Sequence, residues 1–170
     1  MIDLASMNKE VFRTFFGEFT SLNPVQEKTI PLLLDGRNIV VSAGTGTGKT
    51  EAVLAPLVSR HLDYALSNDC LTWLYITPTK ALVNDIRRRI EPALSQLHVS
   101  VGIRHGDRDE TYRSKSQHFL ITTPESLDVL LTRGEKTLQS VRTVILDETH
   151  MLYNTQRGLQ AALLISRVNS

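Results

Sequence analysis

The chain has 170 residues, 41% hydrophobic and 22% charged, which fits one folded domain and is too apolar for intrinsic disorder. Nineteen Lys and Arg against eighteen Asp and Glu leave a net charge of +1, which argues neither for nor against a nucleic-acid partner. One cysteine excludes an intrachain disulfide and a cysteine-built zinc site, no apolar run approaches the roughly 18 residues of a membrane span, and the start MIDLASMNKE lacks the regions of a secretory signal, so a soluble cytoplasmic protein with no membrane partner is expected.

Taken in order, the chain alternates helical stretches with short apolar runs. A helix is predicted over 25–34, then a buried strand over 38–42 (NIVVS). A Gly-rich loop and a helix over 48–66 come after it, with Pro56 expected to kink or break that helix. Cys70 is read as a small buried hydrophobe. Strand 71–77 (LTWLYIT) comes next, with Trp73 and Tyr75 read as core, and then helix 80–97, which Pro92 is likewise expected to kink or break. Strand 99–104 precedes a helix over 107–117 with Asp107 as its N-cap. Strand 118–123, helix 124–132 opening on Pro124, strand 141–147 and helix 157–168 complete the chain. The five runs are continuously apolar rather than alternating, as strands covered on both faces are. The order predicts an α/β fold, a parallel sheet with helices on both faces, in which ligands sit beyond the carboxyl ends of the strands.

The residues just past each strand therefore matter most. After the first strand comes Ala43-Gly44-Thr45-Gly46-Thr47-Gly48-Lys49-Thr50. Glycines there let the backbone turn tightly and aim N–H groups inward, and the next helix adds its positive dipole end. Lys49 would reach the outer phosphates of a nucleotide, and the Thr50 hydroxyl would ligate Mg²⁺. A merely flexible Gly/Thr connection is the bland alternative. After the last strand comes Asp147-Glu148-Thr149-His150. Asp147 suits a Mg²⁺ ligand and Glu148 a group that orients or deprotonates water. An acidic turn in solvent is the alternative for this pair taken alone. The five histidines are scattered without ligand spacing, so the expected metal is the Mg²⁺ that arrives with a nucleotide.

Through these residues the chain resembles a superfamily 2 helicase of the DEAD/DEAH-box (DExH) kind. Ala-x-x-Gly-x-Gly-Lys-Thr is that group's form of the phosphate loop, which accounts for Ala43, and Asp147-Glu148-Thr149-His150 stands in place of its acidic box. Leu22-Asn23-Pro24-Val25-Gln26 resembles the group's glutamine motif, which implies that Gln26 recognises adenine; Lys9 and Phe12 are both near the position of its stacking partner, and neither is chosen. Two residues past the carboxylate, His150 is expected to couple the nucleotide site to another surface, or else to be a merely exposed or packed histidine.

Three further segments resemble the group's nucleic-acid motifs. These are Thr77-Pro78-Thr79-Lys80, Gly102 to Asp107, and Thr122-Thr123-Pro124-Glu125. The resemblance implies that Pro78, Thr79, Lys80, Gly106, Thr123, Pro124 and Glu125 bind the strand. Short Thr/Pro/Gly loops offer hydroxyls, N–H groups and helix N-termini, which hold phosphates without reading bases. Residues 77–117 carry a charge of +3, the chain's basic excess. Arg87, Arg88 and Arg89 span about 200° of a helix, so at least one is expected simply to face solvent.

The wording of the motifs is closest to the long helicase-related group, DNA-stimulated ATPases that resemble 3′-to-5′ translocases. The resemblance thus implies the first part of a RecA-like, P-loop ATPase domain over 1–170, ATP and Mg²⁺ as cofactors, and nucleic acid as partner, DNA in preference to RNA. No counterpart is found of the group's Ser-Ala-Thr segment, nor of its second RecA-like domain, which would be the other partner. The domain is thus expected to be incomplete at its C-terminus, with a gap or an abnormal closure between residues 39–41 and 144–146. An ATP-gated binding module or restriction-type translocase subunit without unwinding is the alternative function. A nucleotide kinase or GTPase switch would share the phosphate loop alone.

Overall fold

Polar side chains at their first turns decide where several helices begin. In the computed structural model, which describes residues 6–17, 20–44, 46–106, 108–109, 117–133, 136–152 and 154–168, the chain divides into two compact units, Met1–Asp63 and Tyr64–Ser170. In the first, α1 (Lys9–Phe16) is capped by Asn8, whose Oδ1 accepts from the N–H groups of Glu10 and Val11 at 2.9 and 3.3 Å. Helix α2 (Pro24–Leu34) has Asn23 as its cap, proline at its first position and Gln26 closing a capping box. Val11, Phe15, Phe16, Ile30 and Leu33 are buried on these two helices. Helix α3 (Lys49–Asn68) comes after the glycine-rich loop.

The second unit holds a sheet of five strands in the order β3-β2-β4-β1-β5. Strands β1 (Trp73–Ile76), β2 (Val101–His105), β4 (Phe119–Thr122) and β5 (Thr143–Leu146) are parallel, while the two-residue β3 (Arg108–Asp109) runs antiparallel to β2. Alternation sorts the side chains by face. Leu74, Ile76 and Leu120 join Leu127 and Leu130 of α5 (Pro124–Thr132) and Leu164 of α7 (Gln156–Val168) in one apolar cluster. Trp73 and Phe119 stack at 6.2 Å with Tyr75 beside them, and α4 (Lys80–Gln96) packs on β2 and β4. A short helix, α6 (Thr149–Leu152), lies between β5 and α7. Leu159 and Leu163, four residues apart on α7, are 71% and 66% exposed.

At the amino end of the sheet a histidine ties two strands. The Ser100 N–H donates to His118 Nδ1 at 3.1 Å, so the ring proton is on Nε2, which faces Asp69 Oδ1 at 3.1 Å.

Four expectations need correction. Residues 38–42 carry no strand, and among the described residues the strands of the sheet all lie between 73 and 146; Val40 is 92% exposed. An apolar run without a neighbour to exchange N–H and C=O groups with has no reason to be a strand. Within the helix predicted over 107–117, Arg108 and Asp109 pair with β2 instead, and 107 and 110–116 lie outside the described residues. Of the kink or break expected at Pro56 and Pro92, the break does not occur: α3 and α4 continue through them, as α2 does through Pro31. Cys70 is half-buried rather than core, with its Sγ 3.8 Å from Thr72 Oγ1.

Candidate functional site

The phosphate-loop residues belong to the first unit. Gly46 and Gly48 have φ of +71° and +69°, backbone that a side chain would strain. Space adds a second reason at Gly48, where a Cβ would lie 2.7 Å from Gln26 Nε2 and 2.9 Å from Asn23 Nδ2. The Asn23 amide donates to the Thr47 carbonyl at 3.0 Å, so the α2 cap also holds the loop. The Thr47 hydroxyl donates to the Gly44 carbonyl at 2.8 Å. The Lys49 ammonium donates to the carbonyl of Ala43 at 2.6 Å and to that of Gly44. Thr50 is half-buried in the first turn of α3, and Thr45 lies outside the described residues. This donor set fits a phosphate: a lysine held by neutral carbonyls can exchange them for anionic oxygens, and Gly46 leaves open space where a Cβ would stand.

Gln26 is 7% exposed, and its Oε1 accepts from the Asn23 N–H at 3.0 Å. A carbonyl oxygen has a second lone pair, so the amide retains one acceptor site besides its N–H groups. Phe12 is half-buried with its ring 5.5 Å from that of Phe16, and Lys9 is exposed at the start of α1.

The second unit collects its candidates along one end of the sheet. Register places Arg104, Thr122, Ile76 and Leu146 side by side on the four parallel strands. The residues one step beyond them, His105, Thr123, Thr77 and Asp147, therefore form a row at the carboxyl ends. Next to β2, a Cβ on Gly106 would lie 3.5 Å from Lys80 Nζ, so the exposed lysine of the β1 loop reaches across to the β2 loop. Thr79 caps α4, its Oγ1 accepting from the Leu82 N–H at 3.3 Å; Thr123 caps α5, accepting from the Ser126 N–H at 3.4 Å. Thr122 Oγ1 donates to the Arg104 carbonyl at 3.0 Å, tying β4 to β2. Pro78, Thr123 and Pro124 are buried, so they shape two helix N-termini, while Thr79 is half-buried and Lys80, Gly106 and Glu125 are exposed. Thr77 Oγ1 and both ring nitrogens of His105 are buried with no hydrogen-bond partner among the described residues. Of the arginine triplet, Arg87 forms a two-point pair with Glu91 at 3.1 Å, and Arg88 and Arg89 are exposed.

At the β5 end of the row the Asp147 N–H donates to the Ile76 carbonyl at 2.9 Å, one last ladder bond. Its Oδ1 accepts from the Glu148 N–H at 2.9 Å and its Oδ2 from the Tyr75 hydroxyl at 2.7 Å. A carboxylate has about four lone-pair sites, so both oxygens keep capacity for a cation or its waters. Glu148 has φ +50°, uncommon for a residue with a side chain. Its Oε2 lies 3.3 Å from His150 Nδ1, and the His150 side chain is 77% exposed. Burial, then the charge and hydrogen bond of Asp147, push the Tyr75 phenol well above the usual tyrosine range.

Two contributions were not legible as such in the sequence: the Asn23 amide on the phosphate loop, and the Tyr75 hydroxyl on Asp147. Asn23-Pro24-x-Gln26 does signal a capped helix start, but not that the cap touches residue 47. Alternation puts Tyr75 on the face of Trp73 and says nothing of its hydroxyl.

The family model described as DEAD/DEAH box helicase matches residues 23–170. The ATP-dependent helicase Lhr-Core of Sulfolobus acidocaldarius is 33% identical over 98% of this chain, which spans 21% of that relative. Among solved structures, the yeast DEAD-box splicing factor Prp28 superposes with a TM-score of 0.83 over 99% of this chain and 42% of its own, at 22% identity. The helicase MrfA bound to DNA and AMPPNP gives 0.72 over 86% of this chain and 22% of its own, at 21% identity. These structures share the fold, an α/β sheet domain of the RecA-like kind. No helix among the described residues is long and apolar enough to cross a membrane. With the family model matched over most of its length, this chain belongs to the DEAD/DEAH box helicases.

Proposed function

We propose that this chain is the nucleotide-binding part of an ATP-dependent helicase or translocase that moves along nucleic acid, DNA in preference to RNA, in the cytoplasm. One observation carries the reading. The carboxylate-bearing turn at Asp147 and the loops that begin at Thr77, His105 and Thr123 share one end of one sheet, in register. A shift at the carboxylate would therefore be felt by loops suited to phosphates, through neighbouring strands. Support for DNA comes from the DNA-bound state of MrfA.

In this reading the loop from Ala43 to Thr50 cradles the phosphates of ATP, with Lys49 on the outer ones. Thr50 and Asp147 hold Mg²⁺, and Gln26 meets the adenine edge with its amide. The magnesium nucleotide supplies a phosphoanhydride whose cleavage needs only a positioned water and charge stabilisation. Glu148 orients or deprotonates that water, and His150 relays the state of the site outward. Thr79, Lys80, Gly106 and Glu125 meet the strand directly, while Pro78, Thr123 and Pro124 aim helix N-termini at its backbone. A second RecA-like domain of the full-length protein supplies the opposite wall and an arginine finger.

The test is strand displacement and DNA-stimulated ATP turnover by the full-length protein, wild type against Lys49→Ala. Loss of both in the variant, by on the order of 100-fold or more, is expected. ATP turnover without displacement would favour an ATP-gated binding module or a non-unwinding translocase. Preference for GTP would overturn the reading.

A further inference from the structure

We propose that Tyr75 is a positioning residue for Asp147, its phenol holding the carboxylate in the one orientation that serves the cation; the inference rests on Asp147 being a Mg²⁺ ligand. Tyr75 is the third residue of β1 and is 4% exposed. It stands opposite Ile145 in the parallel ladder, so Asp147 lies just beyond the paired residues of β5. From there its hydroxyl crosses to Asp147 Oδ2 at 2.7 Å, joining residues 72 apart in sequence.

The surroundings do not otherwise call for a hydroxyl. The ring packs 6.3 Å from Phe119, beside Trp73, in a position where phenylalanine would bury as well. A phenol oxygen taken into such a place is costly unless it finds a partner. The partner it finds is the end of the acidic turn. Three hydrogen bonds then fix Asp147: its N–H to the Ile76 carbonyl, its Oδ1 from the Glu148 N–H, and its Oδ2 from Tyr75. The first two would form with the carboxylate free to swing about the Oδ1 contact. The third removes that freedom and leaves one lone pair per oxygen, each with a set direction. Groups that orient a metal ligand from behind change metal affinity about 10- to 100-fold when removed.

The experiment measures the affinity of the full chain for a fluorescent ATP analogue in EDTA and in saturating Mg²⁺. The ratio of the two dissociation constants reports the metal site, separately from turnover. Tyr75→Phe is expected to leave the EDTA value unchanged and the thermal melt close to wild type, and to shrink the Mg²⁺ effect about tenfold. Asp147→Asn is expected to abolish the effect, and the double variant to match Asp147→Asn alone. A Mg²⁺ effect unchanged in Tyr75→Phe but lost in Asp147→Asn would sink the role of Tyr75 and leave Asp147 in place. A larger Mg²⁺ effect in Tyr75→Phe would mean that the phenol competes with the cation, which also overturns it. Additive losses in the double variant would place Tyr75 in another function. No response to Asp147→Asn would overturn the metal reading, and this inference with it.

Discussion

Two apolar runs, Asn38–Ser42 and Thr143–Leu146, look alike in sequence and end differently. The second pairs with β1 residue for residue, and its Val144 packs against the leucine cluster. The first forms no strand among the described residues, and its Val40 is 92% exposed. Each leads into a loop with a proposed chemical role, and each loop is held in its own way. Asp147 is fixed by the last rung of a ladder and by a neighbouring strand's phenol. The glycine-rich loop is held by the side-chain amide of a helix cap, Asn23, at the Thr47 carbonyl, with Gln26 close against Gly48. Hydrophobicity marks a candidate strand, but a ladder partner decides whether it becomes one.

Five substitutions bear on this contrast. The largest effect is expected in the ladder-held turn. Glu148→Gln in the full-length protein should lower ATP turnover about 10²- to 10⁴-fold while nucleotide binding persists, as single-turnover and binding assays would show. Full turnover in that variant would remove Glu148 from its proposed role. Next comes the sheet itself. Trp73→Ala empties a fully buried site on β1 and should cost about 3–5 kcal/mol in chemical denaturation, with hydrogen exchange rising first across β1, β4 and β5. Exchange confined to β1 would mean that the strands do not act as a unit. Asn23→Ala tests the cap-held loop. It loses the helix cap and the Thr47 contact together, so about 1 kcal/mol of stability should go, with weaker ATP binding. If binding were untouched, the cap and the loop would be independent. Smallest of all, Val40→Ser should shift stability by no more than about 0.5 kcal/mol, whereas Val144→Ser should cost measurably more. Equal costs would erase the difference between the two runs.

Most of the sheet was legible because its strands are short, apolar and bounded by polar turns. The runs around 73–76, 101–105, 119–122 and 143–146 each became a strand, trimmed by a residue or two at most ends. A helix start was legible at Pro124, where proline opens α5, whereas the caps Asn23 and Thr79 emerged with the structure. What escaped depends on partners distant in the chain. The fate of Asn38–Ser42 depends on a neighbour that the run itself does not encode. The pairing of Arg108 and Asp109 with Arg104 and His105 involves two charged residues with no strand preference, and local helix signals pointed the other way. The candidate residues at strand ends could be read from their order, since each comes directly after an apolar run. Division of labour among them could not: that Pro78, Thr123 and Pro124 are buried and Lys80 exposed is a property of packing.

The left-handed backbone at Glu148 sets a trap for anyone improving this fold. A side chain in that conformation costs about 1 kcal/mol relative to glycine, so a search for thermostabilising changes would rank Glu148→Gly near the top. The hardier protein so obtained would have traded away the group proposed to work on water, and heat resistance and turnover would part company at a single residue.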